Sequence, residues 1–370
     1  MSVIVTGLGT AVPKGRVPQS VAYDATQQLC CDSDEHRRVM ELIYQGAGVQ
    51  ERGTVILDGP VATVDVEHGF FRPRSEADDR GPTTRERMEK YEEHALGLAL
   101  RSTEDALANA DQDVSEITHL VTVSCSGFQA PGFDIGLIRE LGLSPDTQRT
   151  HVGFMGCHGA FNGLRVAKAY AEADPKAVVL VCSVELCSLH HHYGWSTDKV
   201  VANALFADGS AAVICRSAPS AELPAHAKYQ LVRNGSHLMA QTERAMTWRI
   251  GDNGFEMTLS QKVPGLIEEH LNDWLTPWLA SEGLTIADVS GWAIHPGGPR
   301  ILDACVTALS LNSDAVALSR EILANYGNMS SATVLFLLER MTQESINGPV
   351  VALGFGPGLT IEAMLLRAGS

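Results

Sequence analysis

Three side chains with reactive groups each lie where an apolar run gives way to a glycine-rich turn. Cys157 lies in HVGFMGCHGAFNGL, His295 in WAIHPGGPRIL and Asn328 in NYGNMSSATVLFLL. A thiol, an imidazole and a carboxamide can serve as a nucleophile, its proton partner and a donor to an oxyanion. These residues therefore predict an acyl-transfer enzyme, provided that the fold brings them together.

Cys157 precedes a predicted helix whose first turn, GCHGAFNG, is rich in glycine. The free amides and the dipole of a helix start favour an anion, so we expect the pKa of the Cys157 thiol to be lowered. The same N–H groups can bind the oxyanion of a thioester. The alternative is a buried cysteine at a tight strand–helix junction, and the adjacent His158 is interpreted as structural.

His295 follows the apolar strand GWAI and precedes a helix with proline in its first turn. Gly297 and Gly298 allow a ligand to approach the backbone closely. A nearby helix start disfavours an imidazolium, unless a thiolate at Cys157 compensates for it. Two interpretations of Asn328 stay open, because asparagine is both a good helix cap and a good hydrogen-bond donor.

Two other patterns predict no ligand site. The run His190, His191 and His192 lacks the spaced second pair of ligands of a zinc site, so no metal is predicted. GFGPGLT at 354–360 lacks the Lys–Ser/Thr end of a phosphate-binding loop and the helix that follows one. We interpret it as a turn that supports the site.

Composition limits the class of protein. The chain has 370 residues, 45% of them hydrophobic, which is enough for one large domain or two fused ones. A net charge of -16 argues against general binding to nucleic acid or anionic membranes. The start MSVIVTGLGTAVP lacks the flanks of a signal peptide and predicts a buried strand. No apolar run is long enough to span a bilayer. Eight cysteines without a CxxC pattern favour a reducing, cytoplasmic setting.

Strands alternate with helices along the chain, which is typical of an α/β fold. QDVSEITHLVTVSCSG and IADVSGWAIHPGG share an outline, and each follows a helical stretch, roughly 86–110 and 261–282. The Cys157 turn matches the Asn328 turn, and AVVLVCSVEL matches PVVALGFGPG. A duplicated strand–turn–helix unit explains these similarities.

The duplication divides the chain into two pseudo-symmetric halves, residues 1–220 and 221–370. The reactive turns are then expected to converge on one crevice at the ends of central strands. Residues 184–204 have no counterpart in the second half, and we expect them to form a wall of the substrate cavity. Residues 53–85 are polar and rich in turns, which predicts a surface excursion.

Together these segments resemble the type III polyketide synthases, the chalcone and stilbene synthase family of the thiolase superfamily. HPGGPRILD, YGNMSSATVLF and GFGPGLTIE are similar to the family's C-terminal signatures almost letter for letter, and ALFADGSAAVI resembles its ALFGDGAAA segment. SCSGF and ELCSL resemble the bacterial branch. The resemblance covers most of the chain. It implies the five-layer αβαβα thiolase fold, a homodimer, CoA thioesters as substrates, and no redox cofactor or metal.

The resemblance also implies residue roles. Cys157 would accept the acyl group, His295 and Asn328 would be the decarboxylation and oxyanion partners, and Phe206 would be an aromatic gatekeeper. Glu185 is expected beside the cavity, with a hydrogen bond near Ser330. The further cavity positions that the resemblance implies are Cys125, Ser126, Cys187, His190 and Ser330.

The chain departs from the plant enzymes of this family at several positions. Met257 stands in place of a second gatekeeper phenylalanine, and its flexible thioether suggests a differently shaped opening. Ala130 stands in place of a methionine that reaches across the dimer, which would enlarge the cavity or remove a wall between subunits. The family's N-terminal CoA-binding cations are poorly matched, and Arg52 is the candidate for that role.

The expected reaction loads an acyl-CoA starter on Cys157, decarboxylates malonyl-CoA, extends the chain repeatedly, and cyclises it to a pyrone, a resorcinol or a similar product. A ketoacyl-ACP synthase III-like enzyme with a single condensation is the alternative of the same class. A non-catalytic protein that holds an acyl group, and a thiol hydrolase, are alternatives of other kinds. The starter and product depend on a cavity volume that only the fold defines.

Overall fold

The structure is a computed structural model that describes residues 2–218, 224, 226–344 and 346–369. Within these residues the strands are β1 (Ser2–Ala11), β2 (Gly15–Pro18), β3 (Glu51–Thr54), β4 (His119–Ser124), β5 (Gln148–Gly153), β6 (Val178–Leu186), β7 (Asp208–Ala218), β8 (Tyr229–Leu238), β9 (Met246–Gly251), β10 (Gly254–Leu259), β11 (Gly291–Ile294), β12 (Pro349–Gly356) and β13 (Thr360–Ala368). The helices are α1 (Gln19–Cys30), α2 (Asp34–Gly46), α3 (Thr84–Ala110), α4 (Phe133–Leu141), α5 (Gly159–Ala173), α6 (Thr197–Leu205), α7 (Val263–Ala280), α8 (Pro299–Leu309), α9 (Ala317–Tyr326) and α10 (Thr333–Met341).

Nine strands form one hydrogen-bonded sheet in the order β11-β12-β13-β8-β1-β7-β6-β4-β5. In the first half, β4 pairs with β6 in parallel, and β6–β7 and β7–β1 are antiparallel. The second half repeats this pattern, since β11 pairs with β12 in parallel and β12–β13 and β13–β8 are antiparallel. The predicted duplication is confirmed, with β6 corresponding to β12 and β4 to β11.

The alternation of side chains along the strands assigns each face of the sheet to a different core. Val179 on β6 and Ala352 on β12 face one common core, in which α5 and α10 are packed. Leu180 on β6 faces outwards to α3 and α4, and Leu353 on β12 faces outwards to α7 and α8. The order is therefore α3/α4, first half-sheet, α5/α10, second half-sheet, α7/α8. The predicted five-layer thiolase fold is confirmed.

The two central helices begin in the same way. A short 3-10 turn, Gly156–His158, precedes α5, and another, Ser330–Ala332, precedes α10. Both turns lie in the middle layer, where the two half-sheets face each other. The duplication thus brings the Cys157 turn and the Asn328 turn together although they are far apart in sequence.

The longest helix, α3, begins and ends with local signals. The Thr83 side chain accepts a hydrogen bond from the Glu86 N–H and the Glu86 carboxylate accepts one from the Thr83 N–H, forming a capping box. The helix ends at Asp111, which has a left-handed backbone. The predicted helical stretches at 86–110 and 261–282 correspond to α3 and α7.

The predicted boundary between residues 220 and 221 lies outside the described residues, between the end of β7 and the start of β8. Residues 55–83 contain turns and bends without a long element, as expected for a surface excursion. In the described part of the chain, no helix has the length and apolar character needed to cross a membrane.

Candidate active site

A pocket lies where the turns before α5 and α10 meet the end of β11. Cys157, His295 and Asn328 all line it. It is therefore the crevice on which the three reactive turns were predicted to converge. The other residues around it are Cys125, Ser126, Gly156, Glu185, Cys187, Phe206, Met246, Thr247, Trp248, Met257, Leu259, Gly297, Ile301, Ser330, Phe355 and Pro357.

The Cys157 turn is held in an unusual backbone conformation. Gly156 has a φ of +77°, and a Cβ atom at this position would lie 2.2 Å from Cδ of Pro357. Only glycine fits there without displacing the turn. The Gly156 N–H also donates to Sγ of Cys125 at 2.9 Å. The predicted cavity position Cys125 thus anchors the turn that carries Cys157.

The environment of the Cys157 thiol differs from the sequence-based expectation. Burial raises the pKa of this thiol to about 12, while hydrogen bonding by Ser330 and Asn328 opposes that shift and the Glu185 charge adds to it. The expected lowering of the pKa at a helix start is therefore wrong, because the cost of burying a thiolate is larger. At neutral pH the resting thiol is protonated.

His295 sits directly after β11, and its backbone N–H donates to the Leu353 carbonyl on β12 at 2.8 Å. Its side chain is buried, and within the described residues neither ring nitrogen has a hydrogen-bond partner. Burial, with a smaller contribution from the charge of His158, lowers the pKa of His295 to about 3. The ring is therefore neutral, with one nitrogen able to accept a proton and the other able to donate one.

Asn328 is fixed by both its backbone and its side chain. Its N–H donates to the Leu205 carbonyl at 2.8 Å, and its carbonyl accepts from the Ala207 N–H at 2.9 Å. Oδ1 accepts from the Ser330 N–H at 2.9 Å. Because a backbone N–H only donates, the side-chain oxygen must be the atom that faces Ser330. The Nδ2 donor is thus left for the pocket, and the cap interpretation and the donor interpretation are compatible.

Phe206 lies opposite Asn328 through this same backbone bridge. Leu205 ends α6, so the segment that carries Phe206 is positioned by α6 on one side and β7 on the other. Gly327, with a φ of +73°, allows the close approach, because a Cβ there would lie 2.8 Å from the Ala207 side chain. The predicted gatekeeper and the predicted oxyanion donor therefore belong to one backbone unit.

Glu185 is fully buried and lies behind the pocket at the end of β6. Its carboxylate accepts hydrogen bonds from Ser126 Oγ at 2.7 Å, from the Cys125 N–H at 3.0 Å and from the Ser331 hydroxyl. Burial raises the pKa of this carboxyl group. The bond from Ser331 agrees with the expected hydrogen bond near Ser330. Glu185 ties β6 to the segment that follows β4 and to the Asn328 turn.

Arg52 does not lie in the Cys157 pocket. The guanidinium is buried and donates to the carbonyls of Asn203 at 2.6 Å, Ala204 at 2.8 Å and Phe206 at 3.1 Å. It also bonds the Gln19 side chain. A cation engaged in this way cannot reach the phosphates of CoA, so the prediction for Arg52 disagrees with its placement. The buried guanidinium holds the C-terminal end of α6.

His190 also lies outside the pocket, in the wall of a neighbouring cavity. Its Nε2–H donates to the Ser126 carbonyl at 2.7 Å, and its Nδ1 accepts from the Phe255 N–H at 2.9 Å. The ring stacks on Phe255 with 4.1 Å between centroids. Burial lowers the pKa of His190 to about 3. His190 is a neutral histidine whose two ring nitrogens are both hydrogen-bonded, and it holds β10 against the segment that follows β4.

Three further predicted positions, Gly297, Gly298 and Ala130, line different cavities of the structure. Gly297 lines both the pocket and an outer groove, whereas Gly298 lines only the outer groove. Gly298 has a φ of +147° at the start of α8. Ala130 is exposed and lines a surface groove with Phe128 and Ile135, away from the Cys157 pocket of its own chain. The prediction for Ala130 concerns a residue that reaches across a dimer into the partner's cavity, so it stays a prediction.

Trp248 is a pocket residue that the sequence analysis missed. It lies on β9 opposite Met257 of β10, and its Nε1 donates to the Cys125 carbonyl at 2.8 Å. The sequence signal was the pair of short strands around the turn GDNG, which is typical of a hairpin. A tryptophan in a hairpin indicates a buried face, but it does not indicate which cavity the face meets.

No group of three or more His, Cys, Asp or Glu side chains in the described residues is arranged to hold a metal ion. The pocket instead offers a thiol, a neutral imidazole and an amide donor around one small volume. These groups suit the attack of sulfur on a thioester and the stabilisation of the resulting oxyanion. Much of the remaining lining is apolar, and hydrogen bonds are stronger in apolar surroundings than in water.

Comparison with known proteins agrees with this geometry. The family model for chalcone and stilbene synthases, N-terminal domain, matches residues 2–219, and the model for the C-terminal domain matches residues 230–369. The alpha-pyrone synthesis polyketide synthase-like Pks18 of Mycobacterium tuberculosis is 35% identical over 98% of this chain and 90% of the relative.

Two other similar proteins come from different lineages. The 1,3,6,8-tetrahydroxynaphthalene synthase of Streptomyces peucetius subsp. caesius is 32% identical over 98% of this chain and 92% of its own length. The crystal structure of PKS-I from the brown alga Ectocarpus siliculosus superposes with a TM-score of 0.91 at 31% identity, covering 99% of this chain and 98% of that one. The chain therefore belongs to the chalcone and stilbene synthase family, and it is a type III polyketide synthase, an acyltransferase that acts on CoA thioesters.

Proposed function

We propose that this enzyme loads an acyl-CoA starter on Cys157 and extends it with malonyl-CoA under the control of His295 and Asn328. One observation carries the proposal. Cys157, Asn328 and Ser330 line one pocket together with the His295 ring, whose nitrogens have no hydrogen-bond partner within the described residues. We further propose that no metal or redox cofactor takes part, because acyl transfer and decarboxylation need only a nucleophile, a base and oxyanion donors.

In the loading step, Cys157 sulfur attacks the thioester carbonyl of the starter as the neutral His295 ring takes the thiol proton. The C–S bond to CoA breaks, and the proton passes from His295 to the departing CoA thiolate. The products are an acyl-Cys157 thioester and free CoA.

In the extension step, malonyl-CoA replaces CoA, and its thioester oxygen accepts hydrogen bonds from the His295 N–H and from Asn328 Nδ2. Loss of CO2 leaves an enolate whose negative oxygen these two donors stabilise. The enolate carbon then attacks the acyl-Cys157 carbonyl. A carbon–carbon bond forms, the bond to Cys157 sulfur breaks, and the chain, two carbons longer, is now attached to CoA. The Cys157 thiolate that is released takes up a proton from solvent and becomes the thiol again.

The CoA part of both substrates is proposed to lie in the outer groove. This groove shares Leu259, Gly297 and Ile301 with the Cys157 pocket, so the two are continuous. Among the described residues that line this groove, Arg300 alone is a lysine or an arginine, and its side chain is exposed. We therefore assign to Arg300 the phosphate-binding role that the sequence analysis gave to Arg52.

We propose a pyrone, a resorcinol or a similar cyclised product. Relatives support this range, since one is named for alpha-pyrone synthesis and another for tetrahydroxynaphthalene. The alternative of a single-condensation enzyme that uses a carrier protein has no supporting feature, because an acidic chain with one lining cation at its groove offers little to an acidic carrier.

A homodimer in the cytoplasm is also part of the proposal. Phe128, Ile135 and Met155 are large apolar side chains that are more than a third exposed, at 39%, 37% and 38%. Phe128 and Ile135 flank Ala130 in one surface groove, which suits burial against a second subunit. Eight free cysteines support a reducing compartment.

The test combines two measurements on purified protein, namely acylation of Cys157 by mass spectrometry and CO2 release from malonyl-CoA. Cys157→Ala should abolish acylation by any starter. His295→Ala and Asn328→Ala should retain some acylation but lose most CO2 release. Acyl transfer to the Cys157→Ala protein, or CO2 release that is unchanged in both other variants, would refute the assignment. Product masses from a panel of aromatic and fatty acyl-CoAs would then define starter and chain length.

A further inference from the structure

His158, the residue after Cys157, begins a series of polar contacts that none of the reaction steps proposed above uses. Its side chain is buried, and it closes the 3-10 turn that precedes α5. The ring lies over β12, where a Cβ atom at Gly356 would overlap its Cδ2 and Nε2 atoms and one at Gly354 would lie 3.3 Å from its Cβ. These two glycines of the GFGPG segment therefore leave room for the imidazole.

The first contact of the series fixes the tautomer of the His158 ring. Nδ1 of His158 lies 3.0 Å from Oδ1 of Asn162, one turn further along the chain, and Nδ2 of Asn162 donates to Oε1 of Glu362 at 3.3 Å. Because a carboxylate accepts hydrogen bonds, the amide nitrogen faces Glu362 and the amide oxygen faces the ring. The hydrogen of a neutral His158 is thus on Nδ1.

The series ends at an ion pair near the surface. The Glu362 side chain on β13 is 2% exposed, whereas that of Arg165, which pairs with it, is 38% exposed. Oε1 of Glu362 also accepts from the Ser236 hydroxyl on β8 at 2.8 Å. A buried carboxylate needs such partners, because a buried charge without a counter-ion is costly. Asn162, Glu362 and Arg165 are here called the support chain, which links α5 to the second half-sheet.

The two charges of the support chain act on His158 with opposite signs. Burial lowers the pKa of His158, the Glu362 carboxylate opposes that shift, and the Arg165 guanidinium adds to it. β12 and the turn Ser330–Ala332, which also pack against the turn before α5, contain no titratable side chain. On the side of the pocket, a charge on His158 lowers the pKa of His295. A protonated His158 would therefore make His295 a weaker base.

We propose that the support chain positions His158 and keeps its ring uncharged beside the Cys157 turn, so that His295 stays basic enough to take the thiol proton during loading. In acid, Nε2 of His158 takes up a proton, and the imidazolium suppresses loading at a pH above the one at which His295 itself is protonated. The inference rests on the proposed role of His295. It assigns the acid limb of the loading reaction to a residue that touches no substrate.

The experiment measures the rate of Cys157 acylation by saturating butanoyl-CoA, without malonyl-CoA, by intact-protein mass spectrometry from about pH 4 to 8. Arg165→Met leaves the Glu362 charge unbalanced, so we expect the midpoint of the acid limb to rise by at least about 0.5 pH unit. Glu362→Gln removes that charge and keeps Arg165, so the midpoint should fall by a similar amount. A merely structural role would change both rates without moving the two midpoints in opposite directions.

Two further variants test whether the effect passes through His158. His158→Asn keeps a donor near the position of Nδ1 but has no group that titrates in this range. Its acid limb should therefore lie below that of the wild type, and adding Arg165→Met to it should cause no further shift. Lys168→Met is the matched control, because it removes a cation of the same helix that pairs with the exposed Glu172, and it should leave the midpoint unchanged.

Equal midpoints in the wild type, Arg165→Met and Glu362→Gln would overturn the inference, and so would an Arg165→Met shift that persists in the His158→Asn protein. Thermal melting of each variant checks the fold. If Glu362→Gln fails to fold, Arg165→Met with and without His158→Asn still decides, because the Arg165 side chain is partly exposed. Failure of the proposed function would look different, since the wild-type protein would then not be acylated on Cys157 at any pH.

Discussion

At the scale of single residues, Asn328 shows how one side chain meets two requirements. Its Oδ1 is bonded to the Ser330 N–H, which fixes the amide plane, and this leaves Nδ2 to serve the pocket. Ser330 itself has a φ of +47°, so the turn depends on the bond that holds it. One atom of the amide group, Oδ1, thus fixes its orientation, and the other, Nδ2, is free to donate a hydrogen bond into the pocket.

Asn328→Asp tests this separation. The aspartate keeps an acceptor for the Ser330 N–H but loses the donor, so we expect a folded protein whose CO2 release from malonyl-CoA falls ~100- to 1000-fold. Asn328→Ala should lose the turn bond as well and should melt at a lower temperature than Asn328→Asp. Similar CO2 release by the aspartate variant and the wild type would show that Nδ2 is not the donor.

The opposite pKa shifts of Cys157 and His295 lead to a second prediction. With a thiol pKa near 12 and an imidazole pKa near 3, the resting pair is neutral over most of the pH scale. Thiolate content then rises about tenfold per pH unit above neutrality. Alkylation of Cys157 by iodoacetamide should accelerate with that slope from about pH 7 to 10.

The control for the alkylation experiment is His295→Gln, which should give the same pH profile. A thiolate–imidazolium pair would behave otherwise. The wild-type rate would reach a plateau below about pH 8, and the plateau would be absent in His295→Gln. That outcome would show that each charge compensates for the burial of the other.

At the scale of elements, the turns that precede α5 and α10 position the pocket side chains, whereas the helices themselves lie behind the pocket. Gly156 takes a positive φ against Pro357 of the loop after β12, so the Cys157 turn is shaped by a segment from the other half of the chain.

Gly156→Ala should destabilise the protein by about 1–3 kcal/mol and slow acylation, because the turn must move. Gly97→Ala is the control. It lies in α3 with no atom within 4 Å of the new Cβ, and it should stabilise by up to about 1 kcal/mol. The free energy of unfolding, measured by urea titration, distinguishes the two.

The end of α6 provides the fourth prediction. Arg52 satisfies the carbonyls of Asn203, Ala204 and Phe206, so Arg52→Met should leave these groups unpaired and cost about 2–4 kcal/mol of unfolding free energy. Arg300→Met should instead leave the melting temperature unchanged and raise KM for CoA thioesters. A rise in KM at constant stability for Arg52→Met would restore the original assignment of Arg52.

The sequence allowed prediction of site residues that carry a reactive group and follow a local strand or turn signal. It did not allow prediction of roles that depend on how distant segments bury a side chain. Cys157, His295 and Asn328 each follow an apolar strand or turn signal, and the duplication explains their convergence. Arg52 was misassigned because sequence does not reveal that a cation is buried against carbonyl groups. Trp248 was missed because its cavity is formed by segments that are distant in sequence.

At the scale of the whole molecule, the two halves share one interior. The central core contains Val179 and Phe161 from the first half and Ala352 and Leu335 from the second, with α5 and α10 covered on both sides. Each half alone would expose one face of its central helix and of its sheet. The hydrophobic contribution of this layer belongs to neither half separately.

This shared interior predicts that the halves do not fold alone. Residues 2–218 or 226–369 expressed separately should lack a cooperative thermal transition and should bind a hydrophobic dye. The full chain should unfold in a single transition, seen with the same midpoint by circular dichroism and by tryptophan fluorescence. Independent cooperative melting of either fragment would show that the halves are separate domains.

The backbone bridge between Phe206 and Asn328 has a consequence for how this enzyme can change over evolution. Because the link uses main-chain atoms of Leu205, Ala207 and Asn328, any side chain at position 206 leaves it intact. If Phe206 is the gatekeeper that the resemblance implies, we expect substitutions at this position to change the substrate range without displacing the proposed catalytic amide of Asn328. Insertions, deletions or a proline at 207 would break the link, so variation there should be confined to side-chain replacement.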